Sequence, residues 1–301
     1  MSISRLCPVC GAPAVNASFF LEQNIDTARL SNFSFASRKA PEYMCHHMVR
    51  CNICDLVYAD TPPLEEDLAQ AYHTAAYDST EEANDAAKAY ALAIQPVLQR
   101  FSGRTAALEI GTGTGIFLEH LKDAGFKTLV GVEPSSAAIA AAPEARRRWI
   151  REGMFNERDF EPASFDLICC FMTMEHVRDP KVISAAALRL LKTGGAFITV
   201  THDYRSSVNR LLGKRSPIID IEHLQIFSHK SIKELFARTG FANVSVDSFV
   251  NRYSLRYWLR LSPLPPGLKR PLEKIIAGPP FNSMHVGLNV GNMIAAGFRG
   301  I

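Results

Sequence analysis

No apolar run in the sequence approaches the roughly 20 residues that a membrane-spanning helix needs, and the opening MSISRLCPVCG lacks the apolar stretch of a secretory signal. Integral membrane insertion is therefore not expected and a cytoplasmic location is. The Asn-x-Ser sequons at Asn16, Asn32 and Asn243 then read as chance. Charge of one sign is not in excess: 33 Lys and Arg against 30 Asp and Glu leave +3. That is too mild to imply nucleic acid without a clustered basic face. Internal repeats and low-complexity tracts are also missing. With 47% hydrophobic and 21% charged residues in a chain of 301, disorder, a collagen-like chain and a small disulfide scaffold are excluded, and the length suggests two domains.

Cysteine is present but unevenly placed. Five of the seven fall in the first 54 residues, with Cys7 and Cys10 in CPVC and Cys51 and Cys54 in CNIC. In a reducing compartment two C-x-x-C pairs read as a metal site rather than disulfides. Two such turns complete the tetrahedral four-sulfur shell that zinc prefers and leave no open position, so a structural zinc is expected. Gly11 allows the tight turn after the first pair; Asp55 stands where a glycine would be usual after the second. Cys45, His46 and His47 are spare ligands, while Cys169 and Cys170 sit in the apolar run FDLICCF and read as core.

The chain divides by pattern. Residues 1–60 hold the cysteine module. Residues 61–104 read as a helical linker or cap, with Pro63 suited to a first helical turn and Pro96 a kink or break. From residue 105 short apolar strands alternate with helices. Asp179 and Pro180 start one helix, with Gly194 and Gly195 as its end; Ser228 starts another, closed by Gly240. Such spacing means βαβ crossovers and a mostly parallel sheet covered on both faces. The core is expected over 105–301, with a Pro-rich insertion at 251–280 packed over a ligand pocket.

Gly111, Gly113 and Gly115 follow the first apolar strand and open a helix, a context that lets backbone approach a ligand. A dinucleotide fingerprint needs its third glycine one position later, where Ile116 stands. Glu133, at the end of the second strand, is placed to accept two ribose hydroxyls. Glu109, beside the loop, would repel a pyrophosphate and suits a cationic ligand such as an ammonium or sulfonium.

ALEIGTGTG, GVEPS, and CCFMTMEHVRDP followed by LLKTGG resemble, in that order, motifs of the class I S-adenosylmethionine-dependent methyltransferases over about residues 64–250. The resemblance implies an α/β fold: a Rossmann-like seven-stranded methyltransferase sheet whose last strand, from MHVGLNVGNMIAAGF, is antiparallel, behind a small zinc-ribbon-like N-terminal module. It places S-adenosylmethionine over Gly111, Thr112, Gly113 and Gly115. The ribose would lie on Glu133 beside Pro134, the adenine near Met154 and Phe155, and the methionine end near Glu109 and Phe171. Met154 stands where many members carry an acid for the adenine amine.

VRCNICDLVYADTPP resembles the second half of a zinc-binding segment found ahead of the core in a group that includes sugar C-methyltransferases, and EHLQIFS at 222–228 is similar to their E-H-x-x-x-F-S segment. That resemblance implies His223 as general base with Glu222 as its neighbour, and Tyr72 and Tyr77 as a cover for the substrate. Asp220 and Ile221 stand where it would put a tyrosine. The implied acceptor is a small molecule: a nucleotide-linked sugar or another glycan or natural-product intermediate. Methylating carbon requires removing a proton beside a carbonyl, and methylating a hydroxyl also benefits from a base. His176 is expected to pack or line the cofactor site, with His202 a second candidate base.

Three other readings compete. An RNA methyltransferase would use Arg146, Arg147, Arg148 and the basic stretch 251–274. A noncatalytic zinc adaptor would retain S-adenosylmethionine binding without turnover. A membrane or lipid-linked glycan would engage 251–280, where Tyr257, Trp258 and Leu259 adjoin Arg256, Arg260 and Lys269. Small-molecule transfer is favoured, nucleic acid is not the expected partner, and oligomeric state is left open.

Overall fold

Strand and helix alternate from residue 106 onward in the computed structural model, which describes residues 5–37 and 41–300. Residues 1–4 and 301, which the expected domain limits include, lie outside the described residues, as do 38–40. Eleven strands are formed among the described residues: β1 (Ala17–Leu21), β2 (Met48–Cys51), β3 (Val57–Ala59), β4 (Ala106–Ile110), β5 (Thr128–Glu133), β6 (Ile150–Glu152), β7 (Phe165–Phe171), β8 (Leu191–His202), β9 (Gln225–Ile226), β10 (Ala242–Ser254) and β11 (His285–Phe298).

Seven of them make one sheet in the order β10-β11-β8-β7-β4-β5-β6. β4, β5, β6, β7 and β8 run parallel, while β11 lies antiparallel to both β8 and β10. Strand β4 reads AALEI and is buried along its whole length, as a parallel strand covered on both faces must be. Helices Pro180–Leu190 and His229–Thr239 cover one face through Ala187, Leu190, Ile232, Leu235 and Phe236. Helices Thr80–Ala93 and Ile116–Asp123 cover the other through Ala86, Tyr90, Phe117 and Leu121.

Local chemistry explains most boundaries. The Asp179 carboxylate accepts from the N–H of Lys181 (3.0 Å) and of Val182 (3.3 Å), with Pro180 in the first turn. Ser228 and Ser231 form a reciprocal capping pair, and Gly240 ends that helix at φ +105°. Pro96 marks the break between Thr80–Ala93 and the short turn Gln95–Leu98. Pro63 falls just ahead of its helix, which begins at Glu65 behind Leu64. The glycine pair differs from expectation. The helix stops at Leu190, and Gly194 and Gly195 lie inside β8. There Gly194 N–H donates to the Arg299 carbonyl (2.9 Å), and a Cβ on Gly195 would stand 3.0 Å from the Asp166 carbonyl oxygen. Neither glycine ends the helix: Gly194 takes a left-handed backbone at φ +78°, and Gly195 permits the close backbone approach.

β1, β2, β3 and β9 make a second, four-stranded antiparallel sheet. Its fourth strand comes from far along the chain, immediately after His223, with Val57 opposite Ile226 and Tyr58 opposite Gln225. The cysteine module and the 222–228 segment are thus one piece of structure. The Pro-rich stretch also has different limits from those expected. β10 continues to Ser254 and β11 begins at His285, so the two form a hairpin arm whose connection carries helices Leu255–Leu261 and Pro266–Ile276.

Candidate functional site

The C-terminal ends of the parallel strands open into a cavity of about 1080 Å³. Pockets for a small ligand usually measure about 300–1,000 Å³, so this cavity lies at the top of that range. At one end β4 turns into helix Ile116–Asp123 through Gly111, Gly113 and Gly115, all left-handed at φ +77°, +56° and +68°. Their surroundings differ. A Cβ on Gly111 would lie 2.3 Å from Thr173 Oγ1, whereas one on Gly113 would meet no atom within 4 Å. Gly113 lines the cavity; Gly115 does not, and instead caps the helix facing Ile150. Gly111→Ala is therefore expected to lower stability by about 3 kcal/mol, read from the urea midpoint. Gly113→Ala is expected to weaken S-adenosylhomocysteine binding with a much smaller loss of stability.

Glu133 ends β5 inside the cavity. Its Oε2 accepts from Gly113 N–H (2.7 Å) and its Oε1 from Ser135 N–H (2.9 Å). Burial still raises its pKa above the usual carboxylate value. Glu109 accepts the Thr112 hydroxyl. Pro134, Met154, Phe155 and Phe171 join them in the wall. Phe155 stacks on Phe160 with rings 6.0 Å apart, and Phe171 lies 4.4 Å from the Tyr90 ring. A carboxylate pair, a glycine face open to ligand and an aromatic wall suit a nucleoside carrying a cationic group.

The other end is a cluster of histidines and acids. His223 is fully buried and its Nδ1–H donates to the Ile218 carbonyl at 2.8 Å, which leaves Nε2 as the lone-pair nitrogen. Burial, then the neighbouring His176 and His202, push its pKa down to about 4. The rings of His176 and His202 lie 5.0 Å and 5.3 Å from it. His176 Nδ1 is 3.5 Å from Glu222 Oε2 and 3.1 Å from the Tyr72 hydroxyl. Burial pulls His176 down, but Glu222, Glu175 and Asp220 outweigh it and hold its pKa above the usual value. The pKa values of two imidazoles whose ring centroids lie 5.0 Å apart are thus driven in opposite directions, His223 down and His176 up, the pattern of an acid–base pair.

Two participants escape sequence reasoning. Glu175 has no exposed surface, yet His202, His223 and His176 keep it ionised against burial. Its Oε1 accepts from His202 N–H (2.7 Å) and lies 3.3 Å from His202 Nδ1. It is the buried negative charge around which the histidines gather. Its place directly before His176 in MEHVRDP was the available signal. Tyr90, from the expected linker, is the second, stacked against Phe171. Tyr72 and Tyr77, expected as a cover, both line the cavity.

The four paired cysteines converge outside this cluster. Sγ of Cys7 is 3.5 Å from that of Cys54, and Sγ of Cys10 is 3.5 Å from that of Cys51; all four ligand atoms lie within 4.8 Å of one another. Tetrahedral zinc with Zn–S near 2.3 Å needs sulfurs about 3.8 Å apart, so the donor set fits that ion. Asp55 takes the left-handed turn at φ +67°, a conformation that Asp tolerates better than most residues. Its carboxylate accepts from Tyr204 Oη (2.7 Å) and pairs with Arg205, which ties the second knuckle to the core. The spare ligands go elsewhere: Cys45 packs with Leu21 and Met48, His46 Nε2 meets the Ile221 carbonyl at 3.1 Å, and His47 pairs with Asp60 at 3.0 Å. Cys169 and Cys170 are wholly buried in β7. Arg146 pairs with Glu119, Arg147 donates to the carbonyls of Ala140 and Ala142, and Arg148 lies over the Trp149 ring. That basic triplet is engaged locally.

A segment of 126 residues is 29% identical to the ubiquinone biosynthesis O-methyltransferase of Yersinia pestis (strain Pestoides F), covering 40% of this chain and 50% of that protein. The chain thus spans about half the length of the curated relatives it matches. Among solved structures, a SAM-dependent methyltransferase of Thermotoga maritima aligns over 71% of this chain and 90% of its own, with TM-score 0.47 and 20% identity. Phosphoethanolamine N-methyltransferase 2 of Haemonchus contortus, in complex with S-adenosyl-L-methionine, aligns over 70% and 52%, with TM-score 0.46 and 18% identity. A methyltransferase-domain family model matches residues 80–246. That match exceeds half of the chain and takes in both the glycine loop and the buried histidines, so the chain belongs to the methyltransferase-domain family.

Proposed function

We propose that this protein transfers a methyl group from S-adenosylmethionine to a small molecule whose acceptor atom loses a proton, with a structural zinc bracing the acceptor end. The observation that carries it is one cavity joining a nucleoside-type cradle to the buried His223, whose pKa is lowered, beside His176, whose pKa is raised. When bound, S-adenosylmethionine supplies a methyl group on a positively charged sulfur. Glu133 accepts the ribose hydroxyls on lone pairs left beside Gly113 and Ser135. Glu109 and Phe171 face the methionine end, and Met154 and Phe155 the adenine. His223 Nε2 takes the acceptor's proton. Glu222 keeps His176 protonated, so that its charge faces the oxyanion that develops as the proton leaves. Cys7, Cys10, Cys51 and Cys54 hold the zinc.

The acceptor proposed first is a nucleotide-linked keto-sugar, a carbon acid beside a carbonyl, from the similarity of residues 49–63 and 222–228 to the sugar enzymes. A hydroxyl acceptor is the second reading, favoured by the curated relative's name as an O-methyltransferase. Incubation with methyl-labelled S-adenosylmethionine across nucleotide-linked keto-sugars and catechols tests both. Label on carbon supports the first and label on oxygen the second. Tight S-adenosylhomocysteine binding without transfer to any acceptor would favour an adaptor.

A further inference from the structure

Between Arg252 and Lys274 the chain carries Arg252, Arg256, Arg260, Lys269, Arg270 and Lys274 against the single acid Glu273. That is 6 − 1 = +5 in a protein whose total is +3. This segment forms most of the hairpin arm, and the arm has two unlike parts. Its root is fixed. Tyr253, Tyr257 and Leu259 are buried, and Trp258 Nε1–H donates to the Val286 carbonyl at 2.9 Å. Arg260 pairs with Glu82 (3.2 Å) and His285 with Asp85 (3.0 Å), both on helix Thr80–Ala93.

Its tip is bare. Leu268, Leu272 and Ile275 stand at i, i+4 and i+7 of helix Pro266–Ile276, so they share one face. They are 55%, 38% and 58% exposed. Leu264, Phe281 and Met284, on either side of this helix in the chain, are exposed as well. Keeping three aliphatic side chains wet on a rigidly rooted element is unfavourable without a partner.

We propose that the tip of this arm docks on an anionic lipid bilayer. The charge identifies the occupant. A second copy across a twofold axis would set the tip's own cations, Lys269, Arg270 and Lys274, against one another. RNA would use the cations but not the aliphatic face, and the aromatic Tyr257 that could stack a base is turned into the core. A short amphipathic helix with cations flanking Leu and Ile fits the headgroup region, its apolar face sunk among acyl chains and its Lys and Arg on the phosphates. Among the described residues no helix is long and apolar enough to cross a membrane, so attachment is by surface docking. Trp258, Leu261 and Pro263, at the arm's root, line the large cavity, and docking brings that wall next to the lipid. The inference rests on the arm alone and stands whether or not the acceptor reading holds.

The test is co-sedimentation of the full chain with phosphatidylcholine vesicles, with and without phosphatidylglycerol. Binding is expected only with phosphatidylglycerol, and salt should weaken it. R270E/K274E is expected to lower vesicle affinity about fivefold for each cation lost, and L268S/L272S/I275S by more than about tenfold. Both variants should keep the wild-type melting temperature and S-adenosylhomocysteine affinity, because these side chains lie outside the core and the cavity wall. Absence of binding to any vesicle overturns the proposal. So does binding untouched by L268S/L272S/I275S. A wild-type dimer that this variant turns into monomer would assign the face to a second copy, and RNA binding lost in R270E/K274E without vesicle binding would assign it to RNA.

Discussion

His223→Ala is expected to reduce methyl transfer about 10³-fold, within the range found for general bases, while S-adenosylhomocysteine still binds at the opposite end of the cavity. His223→Gln separates base from scaffold. Its amide can still donate to the Ile218 carbonyl and hold the loop, but it has no basic nitrogen. The glutamine variant should be as inactive as the alanine variant; restored activity would reduce His223 to a loop-ordering residue. Acidity gives a second readout. His223 falls from about 6.5 in the unfolded chain to about 4 in the fold. Between these values the unfolded chain binds more protons, so stability is lost as pH drops through that window, by as much as about 3 kcal/mol. His176 has the opposite sign. Its raised pKa contributes stability that is full below the unfolded value and fades as pH rises through the folded one. As the pH falls from about 6.5 to about 4, His223→Gln should therefore lose clearly less urea resistance than wild-type protein.

What the sequence made legible was local. An Asp-Pro pair, a serine before an amphipathic helix, a glycine triplet after an apolar strand and two C-x-x-C turns each encode their structure within a few residues. Asp179, Ser228, Gly111 and Cys7 accordingly stand where their neighbours alone would put them. Pairing over long distance was not legible. β9 is two residues long and carries no strand signal; it exists because β3 offers an open edge to Gln225 and Ile226. The arm was read as a Pro-rich insertion because its prolines interrupt every helical period, whereas the extension of β10 to Ser254 is set by pairing with His285. The histidine cluster was half legible. Glu222 and His223 adjoin in a recognisable segment, but Glu175 and His202 come from different strands' ends and meet only when β7 and β8 lie side by side. Adjacency to His176 in MEHVRDP singled out Glu175, but not its burial as the charge around which His176 and His202 gather.

Cys54→Ser, or treatment with a strong zinc chelator, is expected to destabilise the protein by several kcal/mol and to lower turnover far more than cofactor affinity. Structural zinc contributes about 10 kcal/mol or more in isolated finger peptides. Here the loss should be smaller, because the seven-stranded core persists without it. The functional consequence follows from connectivity. The knuckle Cys51–Cys54 joins β2 to β3, β3 pairs with β9, and β9 follows His223 by one residue. Arg5, two residues before Cys7, adds a second tie: its guanidinium donates to the carbonyls of Ala59, Arg178 and Leu224. Loosening the four-sulfur site is therefore expected to free the strand beside His223, while Gly113 and Glu133 rest on β4 and β5. Cys45→Ser is the control, since Cys45 packs in a separate cluster and should retain one zinc per chain. The measurement is zinc content by elemental analysis beside melting temperature and S-adenosylhomocysteine affinity. A Cys54→Ser protein as stable and as active as wild type would mean that the thiols pack as a small hydrophobic cluster, and that β9 is held by its backbone pairing and Arg5 alone.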